Sequence, residues 1–234
     1  MRMSRLRFQG GAKQRSESSD AIKAIALKLF AERGVDGVTV REIATAAGQK
    51  NHGAVGYYFG SKEALVREII VDGARIIDER RNARLDALEA AGGPHTVREV
   101  VDTIIYPSLE PFGNDQNDCY LRFTVMLNMT HRDLFVDAIG NQWNRGYQRC
   151  LSHLRRLMPP IPTALKNQRL MFLGGYVAMM LALRQTALSD TTRAHSTWPS
   201  EATLRHLAHT ATAIIEAPDE ASEAAEISKI SAAF

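Results

Sequence analysis

The sequence predicts an all-α fold in which an N-terminal three-helix head is joined by a long helix to a larger helical body. Apolar residues recur every three or four positions along most of the 234 residues, which is the spacing of one helix face. Aromatic residues make up only 7% of the chain and alanine is abundant, a composition that favours helices. Serine, threonine, glycine and proline stand where these apolar stretches begin and end.

Residues 39–62, in the head, predict two short helices joined by a tight turn. Thr39 followed three residues later by Glu42 has the form of a capping box, and Gly48 is expected to end the helix that this box begins. Asn51 is expected to cap the second helix. Because two short helices around a glycine turn can lay the second one into the major groove, the stretch predicts a DNA-binding helix-turn-helix.

The remaining elements follow from the same signals. The first helix is expected from about Asp20 to Arg33, after a flexible basic arm over residues 1–19 that contains two adjacent glycines and has no helical period. A long fourth helix, capped by Ser61, is expected to run to about Ala90. Later helices are expected over residues 96–109, 120–129, 133–158, 163–189 and 200–216. The predicted domains are therefore the arm (1–19), the helix-turn-helix domain (20–62), the helical body (63–217) and a tail (218–234).

Charge is distributed unevenly along the chain. Residues 1–62 carry eleven lysines and arginines against five acidic residues, a balance of +6, whereas the whole chain has a net charge of +3 and the remainder is therefore −3. A basic N-terminal third attached to a mildly acidic body favours a polyanion as the partner of that third. Two interpretations of the arm stay open, a contact with DNA and a passive leader.

Composition and missing motifs predict a protein of the cytoplasm, with no membrane segment, cofactor, metal or enzymatic activity. Cys119 and Cys150 are too few for a disulfide framework and are expected to be core thiols. The N-terminus has no apolar core of a signal peptide, and the most apolar run, residues 176–183, is too short to span a bilayer. Nucleotide-binding, hydrolase and zinc motifs do not occur, and His206 and His209 lack a third ligand.

The segments LFAERGVDGVTVREIATAAG and GYYFGSKEAL resemble the N-terminal signature of the tetracycline-repressor-like (TetR) family of transcriptional regulators. The resemblance runs from about Ile22 to Leu65 and joins, in order, a helix end at an Arg-Gly pair, a threonine cap, the turn glycine, an aromatic pair and a lysine-containing helix start. The sequence departs from the commonest family pattern in two ways. The segment over residues 49–52 is one residue longer, and Gly56 stands where the family most often has tyrosine, so the register of base contacts stays open.

The resemblance implies a regulator, most often a repressor, that binds double-stranded DNA at a palindromic operator. Phosphate-positioning contacts are predicted for Thr39, Lys50, Tyr58 and Lys62, and Lys62 takes this role by the resemblance. Base-edge contacts are predicted for Gln49, Asn51, His52 and Tyr57. Arg41 and Ala54 complete the predicted DNA-binding set. For Tyr58 the alternative is an aromatic side chain that closes the core.

A homodimer is predicted through the last two long helices, where the family resemblance places a four-helix interface. Helix-turn-helix proteins pair two half-sites roughly 34 Å apart, because one recognition helix makes too few contacts for specificity. The predicted interface residues are Phe172, Tyr176, Met179 and Leu183 on one helix and Leu204, Ala208, Ala211 and Ile215 on the other. The alternative is that these stripes only build the core of the monomer.

The body is predicted to bind a small, largely apolar effector whose binding releases the operator. It is more than twice the size of the head and carries no catalytic motif, so another role must account for it. Aromatic and methionine side chains that could line an adaptable pocket are Phe123, Met126, Met129, Trp143, Tyr147, Met171 and Met180. The alternatives are an ordinary core, a helical enzyme or ligand-binding protein with an unrecognised active site, and a DNA-packaging protein.

Overall fold

The structure is a computed structural model that describes residues 3–110, 119–140 and 142–219, and over these residues the secondary structure is helical. A 3-10 turn over Tyr106–Ser108 follows the fifth helix. The α-helices are α1 (Met3–Arg33), α2 (Val40–Ala46), α3 (Ala54–Phe59), α4 (Lys62–Ala90), α5 (Val97–Ile105), α6 (Tyr120–Thr130), α7 (Arg132–Ile139), α8 (Arg145–Leu157), α9 (Thr163–Ser189) and α10 (Glu201–Glu216). The predicted all-α fold is confirmed.

The chain divides into two compact units, each formed by separate stretches of sequence. Unit 1 takes the described residues within 1–77, 110–144 and 181–190, and unit 2 takes those within 78–109, 145–180 and 191–219. The helices α4 and α9 each contribute residues to both units. Each unit therefore combines distant stretches of the sequence, and the domain boundary at residue 62 stays a prediction.

The core of unit 1 joins α1–α3 to α6. Phe30 of α1 is fully buried, together with Ile43 of α2 and Val55 of α3. Its ring stacks on that of Phe123 in α6, with 6.1 Å between the ring centroids. Leu65 at the start of α4 is also fully buried and closes this core.

The helix α6 also packs closely on α4 within unit 1. The Tyr120 hydroxyl donates a hydrogen bond of 2.8 Å to the backbone oxygen of Ile70. A Cβ atom at Gly73 would overlap the Tyr120 ring, so a glycine is needed there for the ring to lie against α4. Ion pairs add to these contacts at the surface, where Lys23 Nζ lies 2.6 Å from the Asp72 carboxylate and binds α1 to α4.

In unit 2, α5 packs against α8 and α10. A polar cluster lies where α4 meets α8. The buried Asp78 carboxylate accepts hydrogen bonds from the Gly146 amide at 2.7 Å and from Asn82 Nδ2 at 2.9 Å. A Cβ atom at Gly146 would stand 2.8 Å from Arg81 Cβ, so the close approach of α8 to α4 needs glycine. The buried carboxylate is thereby hydrogen-bonded, as a buried charge must be.

Both cysteines are buried thiols, as predicted. Cys150 lies in the interior of unit 2, and burial raises the pKa of its thiol from 9.0 to about 11 because the charged thiolate is disfavoured away from water. Cys119 is buried in the core of unit 1. These environments favour packing over reactivity.

Three predicted helix boundaries were wrong. The first helix begins at Met3 instead of Asp20, because the adjacent glycines cost roughly 1 kcal/mol each and do not stop a segment otherwise rich in helix formers. The predicted helix over 133–158 is two helices, α7 and α8. Gly140 ends α7 with a φ of 52°, a left-handed value that favours glycine. The helix predicted over 96–109 leaves α-helical geometry after Ile105.

Only α9, among the described helices, is long and apolar enough to cross a membrane by length and composition. Just 28% of its most apolar window is buried. The same test is passed by core helices of proteins that never enter a membrane, so this observation is weak evidence for a span. From residue 220 onward the predicted tail lies outside the described residues.

Candidate nucleic-acid interface

The first short helix of the helix-turn-helix begins with the predicted capping box. Thr39 Oγ1 accepts a hydrogen bond from the Glu42 amide at 3.2 Å, and Glu42 Oε2 accepts one from the Thr39 amide at 2.7 Å. The other carboxylate oxygen of Glu42 accepts two hydrogen bonds of 3.0 Å from the Arg33 guanidinium at the end of α1. Glu42 therefore fixes both the start of α2 and its approach to α1.

These hydrogen bonds stabilise the charged form of Glu42. The backbone amide of Thr39, then its hydroxyl and the Arg33 guanidinium, lower the pKa of the Glu42 carboxyl from the ordinary 4.5 to about 2. The carboxyl is therefore ionised at neutral pH and keeps both of its oxygens as hydrogen-bond acceptors.

The predicted turn after α2 is confirmed at Gly48. Gly48 has a φ of 67°, its amide donates to the Thr45 oxygen at 3.0 Å, and the Gln49 amide donates to the Ala44 oxygen at 2.9 Å. These two bonds form the Schellman arrangement that ends helices at a left-handed glycine. The chain thus turns sharply at Gly48 and leads into the segment before α3.

Asn51 does not cap α3 as predicted. The helix begins at Ala54 after Gly53, and the Asn51 side chain instead accepts a hydrogen bond of 2.8 Å from the Gly53 amide. The backbone oxygen of Asn51 accepts another of 3.0 Å from the Ala54 amide. The extra residue in this segment is absorbed by a turn, which moves the helix start by two residues.

Seven of the ten predicted DNA contacts form an exposed or half-exposed group around the turn and α3. Tyr57 is the most prominent, with 66% of its surface exposed. Its ring meets the Tyr58 ring edge to face, with centroids 5.0 Å apart. The other exposed or half-exposed members are Arg41, Gln49, Lys50, Asn51, His52 and Lys62. Gln49 is half-buried, and its Nε2 donates to the Ala47 oxygen at 3.4 Å.

The other three predicted contacts have structural roles. Ala54 is 4% exposed and its side chain lies in the core of unit 1, which favours a core role over the predicted DNA contact. This small apolar residue begins α3 next to Val55 and faces the same core. Tyr58 is half-buried against that core, which favours its alternative role as a core-closing aromatic. The exposed Thr39 hydroxyl already takes part in the capping box.

Comparison with known proteins identifies this motif. Residues 22–69 match the family model described as "Bacterial regulatory proteins, tetR family". This segment is similar to the N-terminal part of tetR-family regulatory proteins. The resemblance seen in the sequence is thereby confirmed over these residues.

Solved TetR-family structures share the fold over most of the chain. PfmR, a TetR-family transcriptional regulator from Thermus thermophilus, is 15% identical, with a TM-score of 0.55 over 85% of this chain and 99% of that one. A putative tetR family transcription regulator from Shewanella sp. PV-4 is also 15% identical, with a TM-score of 0.55 over 85% and 95%. A regulatory protein of the tetR family from Rhodococcus RHA1 is 16% identical, with a TM-score of 0.50 over 86% and 98%. No curated protein matched the sequence.

The two helices of the predicted dimer interface present different surfaces. Phe172, Met179 and Leu183 of α9 are exposed, and Phe172 has 56% of its surface exposed. Tyr176 is half-buried, and its hydroxyl lies 2.6 Å from that of Thr210 in α10. On α10 Leu204 is half-buried, whereas the other three predicted residues are buried, which favours the alternative that they build the core. Those buried in unit 2 are Ala208, Ala211 and Ile215.

The predicted pocket residues are not brought together within one unit. Phe123 fills the core of unit 1 against Phe30, so an ordinary core accounts for it. Met129 and Met171 are 75% and 65% exposed. Tyr147 is largely buried in unit 2, where the Arg81 guanidinium lies 5.5 Å from its ring centroid. The remaining members, which are half-buried, are Met126, Trp143 and Met180.

Met171, which was predicted to line the pocket, belongs with Gly175 to the exposed apolar face of α9. With Phe172, Met179 and Leu183 they follow helical spacing on one exposed side. Gly174 differs, because a Cβ there would stand 2.9 Å from the Tyr147 hydroxyl, whereas a Cβ at Gly175 would meet no neighbouring atom within 4 Å. The signal for Met171 is the spacing of four residues that leads from it through Gly175 and Met179 to Leu183.

The pKa of Glu42 leads to a prediction about acid stability. Because its folded-state pKa is depressed, its contribution is present above about pH 4.5 and is lost as the pH falls through about 2. We expect Glu42→Gln to lower the free energy of unfolding at pH 7. The difference in this free energy between the variant and the unchanged protein should shrink progressively as the pH falls from 4.5 to 2. Urea unfolding followed by circular dichroism at several pH values measures this. Glu32→Gln, another exposed glutamate of the head, is the control, and a pH-independent difference for Glu42→Gln would contradict the prediction.

Proposed function

We propose that this protein is a transcriptional repressor of the cytoplasm that binds a palindromic operator as a homodimer and is released by a small, largely apolar effector. The observation that carries the proposal is the exposed turn and α3 inside a segment that matches the TetR family. Function is carried by sites on a fold, and here the DNA-binding segment is one such site. The rest of the chain is then available to a second partner, as in a regulator.

Operator binding draws support from the exposed group around α3. Lys50 and Arg41 offer positive charge for phosphates, and Lys62 lies in the first turn of α4, whose free amides also favour phosphate oxygens. Asn51, His52 and Tyr57 offer donors and acceptors for base edges. The +6 balance of residues 1–62 adds a sequence-independent attraction to DNA.

A homodimer through α9 is supported by its exposed apolar face. An unpartnered run of Met171, Phe172, Met179 and Leu183 is unusual for the surface of a monomer, and burying it against a second copy would remove that area from water. Gly175 has no side chain and open space where a Cβ would stand, so it would allow close approach of the two copies of α9. On α10 the outward residues His206 and His209 replace the buried ones in the proposed interface.

Effector binding is proposed for the body because regulation needs an input that the head does not provide. Tyr147 of unit 2, whose pKa is raised by burial, is the starting point for such a site. An effector acts by favouring a spacing of the two heads that no longer fits successive major grooves. A shift from 1:99 to 99:1 would need about 5.5 kcal/mol of differential affinity, so a small molecule is expected to shift the equilibrium partially.

For DNA binding, the first step is to select a duplex from random-sequence DNA with the unchanged protein. We expect His52→Ala to cost about 1–3 kcal/mol on the selected duplex and little on a scrambled one, since base contacts distinguish sequences. Lys62→Ala should weaken both duplexes alike and lower the salt slope by about 1. Fluorescence anisotropy across a salt series measures both, with Lys166→Ala of unit 2 as the charge control. Equal losses on both duplexes for His52→Ala would refute its base-reading role.

For the dimer, we expect Phe172→Glu to weaken self-association by about 3 kcal/mol, because the new charge would be buried without a partner. Sedimentation over a concentration series measures the dissociation constant. Val136→Glu is the matched control, since Val136 is also exposed and apolar but lies on α7. An unchanged protein that is monomeric at micromolar concentration and still binds a palindrome with full affinity would overturn the proposal.

For the effector, reciprocity gives a sharp test. Any ligand that lowers operator affinity by some factor must itself lose affinity by the same factor when the operator is bound. Compounds found by thermal shift are to be titrated calorimetrically with and without the selected duplex. The control is the His52→Ala variant, titrated at a DNA concentration at which this variant does not bind the duplex. There the duplex should not change the affinity of the compound. A compound that binds equally well in both titrations is not the effector.

A further inference from the structure

Gly56 is a glycine of the head for which the fold itself gives no reason. The other glycines of the described head each have one. Gly34, Gly48 and Gly60 have φ values of 74°, 67° and 80°, which are left-handed conformations that favour glycine. At the remaining two, Gly37 and Gly53, a Cβ atom would come close to a neighbouring atom.

A Cβ atom at Gly37 would stand 2.5 Å from the backbone oxygen of Arg33, and one at Gly53 would stand 3.2 Å from the Asn51 side-chain oxygen. Gly56 lies within α3, does not have a positive φ, and has no atom within 4 Å of the place its Cβ would occupy. Alanine would fit there without any rearrangement.

Glycine at this position lowers the stability of α3, since it is a poorer helix former than alanine and the helix has only six residues. Gly56 is exposed, so it leaves the helix backbone uncovered immediately before Tyr57 on the outer side of α3. An uncovered backbone is what close approach to a ligand requires.

We propose that Gly56 is a positioning residue for DNA, which lets the backbone of α3 lie against base edges so that Tyr57 reaches into the groove. This rests on the proposed function, because it takes the partner of α3 to be an operator. A helix with its side chains is about 10–12 Å across and the major groove is about 12 Å wide, so α3 enters with little room to spare. A methyl group at position 56 adds about 1.5 Å of stand-off between helix and base edge.

The test compares Gly56→Ala with Tyr57→Ala in the full chain, using the duplex that the unchanged protein selects from random-sequence DNA and a scrambled duplex of equal length. We expect Gly56→Ala to lose about tenfold or more on the selected duplex and to change by less than about twofold on the scrambled one, where phosphate contacts dominate. Its thermal midpoint should equal or exceed that of the unchanged protein. Sedimentation checks that its oligomeric state is unaltered.

Three results would overturn the inference. The first is a Gly56→Ala variant that binds the selected duplex as tightly as the unchanged protein while Tyr57→Ala loses binding. This result would exclude the role of Gly56 but would not contradict the proposed function. The second is an equal loss on both duplexes. The third is a lower thermal midpoint, which would give Gly56 a structural reason within the fold. If the unchanged protein selects no duplex, or if neither variant alters binding to the selected one, the proposed interface itself fails.

Discussion

The placement of α3 depends on the carboxylate of Glu42. One of its oxygens accepts hydrogen bonds from the amide and hydroxyl of Thr39, and the other accepts two from Arg33 at the end of α1. These bonds are exposed, and water competes with each of them. They therefore orient the helices more than they stabilise the fold. They fix where α2 starts and how it meets α1. With Ile43 beside it fully buried, α2 has one orientation, and the turn at Gly48 then determines where α3 begins.

Local signals made most of this predictable. A capping box, a left-handed glycine and the Ser61 cap each act within four residues, and all three are present as the sequence predicts. The prediction failed where two local choices compete. Asn51 has the chemistry of a helix cap, yet its side chain bonds the Gly53 amide and the helix starts later. At Ala54 the burial of the side chain favours a place in the core over the predicted contact with DNA.

Larger surfaces were harder to predict, for a related reason. The apolar stripes of α9 and α10 look alike in sequence, but α10 uses its stripe to pack on α5 and α9 leaves much of its own exposed. Whether a stripe is buried within one chain depends on which helices reach it, and that is decided by distant residues. Gly140 is a similar case. A glycine inside a helix lowers its stability only slightly, so Gly140 alone does not predict a break. The helix α7 ends there because Gly140 adopts a positive φ between α7 and α8.

The packing of α6 extends the core of the head beyond its own three helices. Phe123 was predicted from its sequence to line a pocket, yet its ring stacks on Phe30 in the middle of the head core, and Tyr120 of the same helix bonds the backbone of α4 at Ile70. Close-packed cores do not deform continuously, so a displacement of α6 must either move α1 or open a gap beside Phe30. The helices α1–α3 therefore share one packed core with α6 inside unit 1.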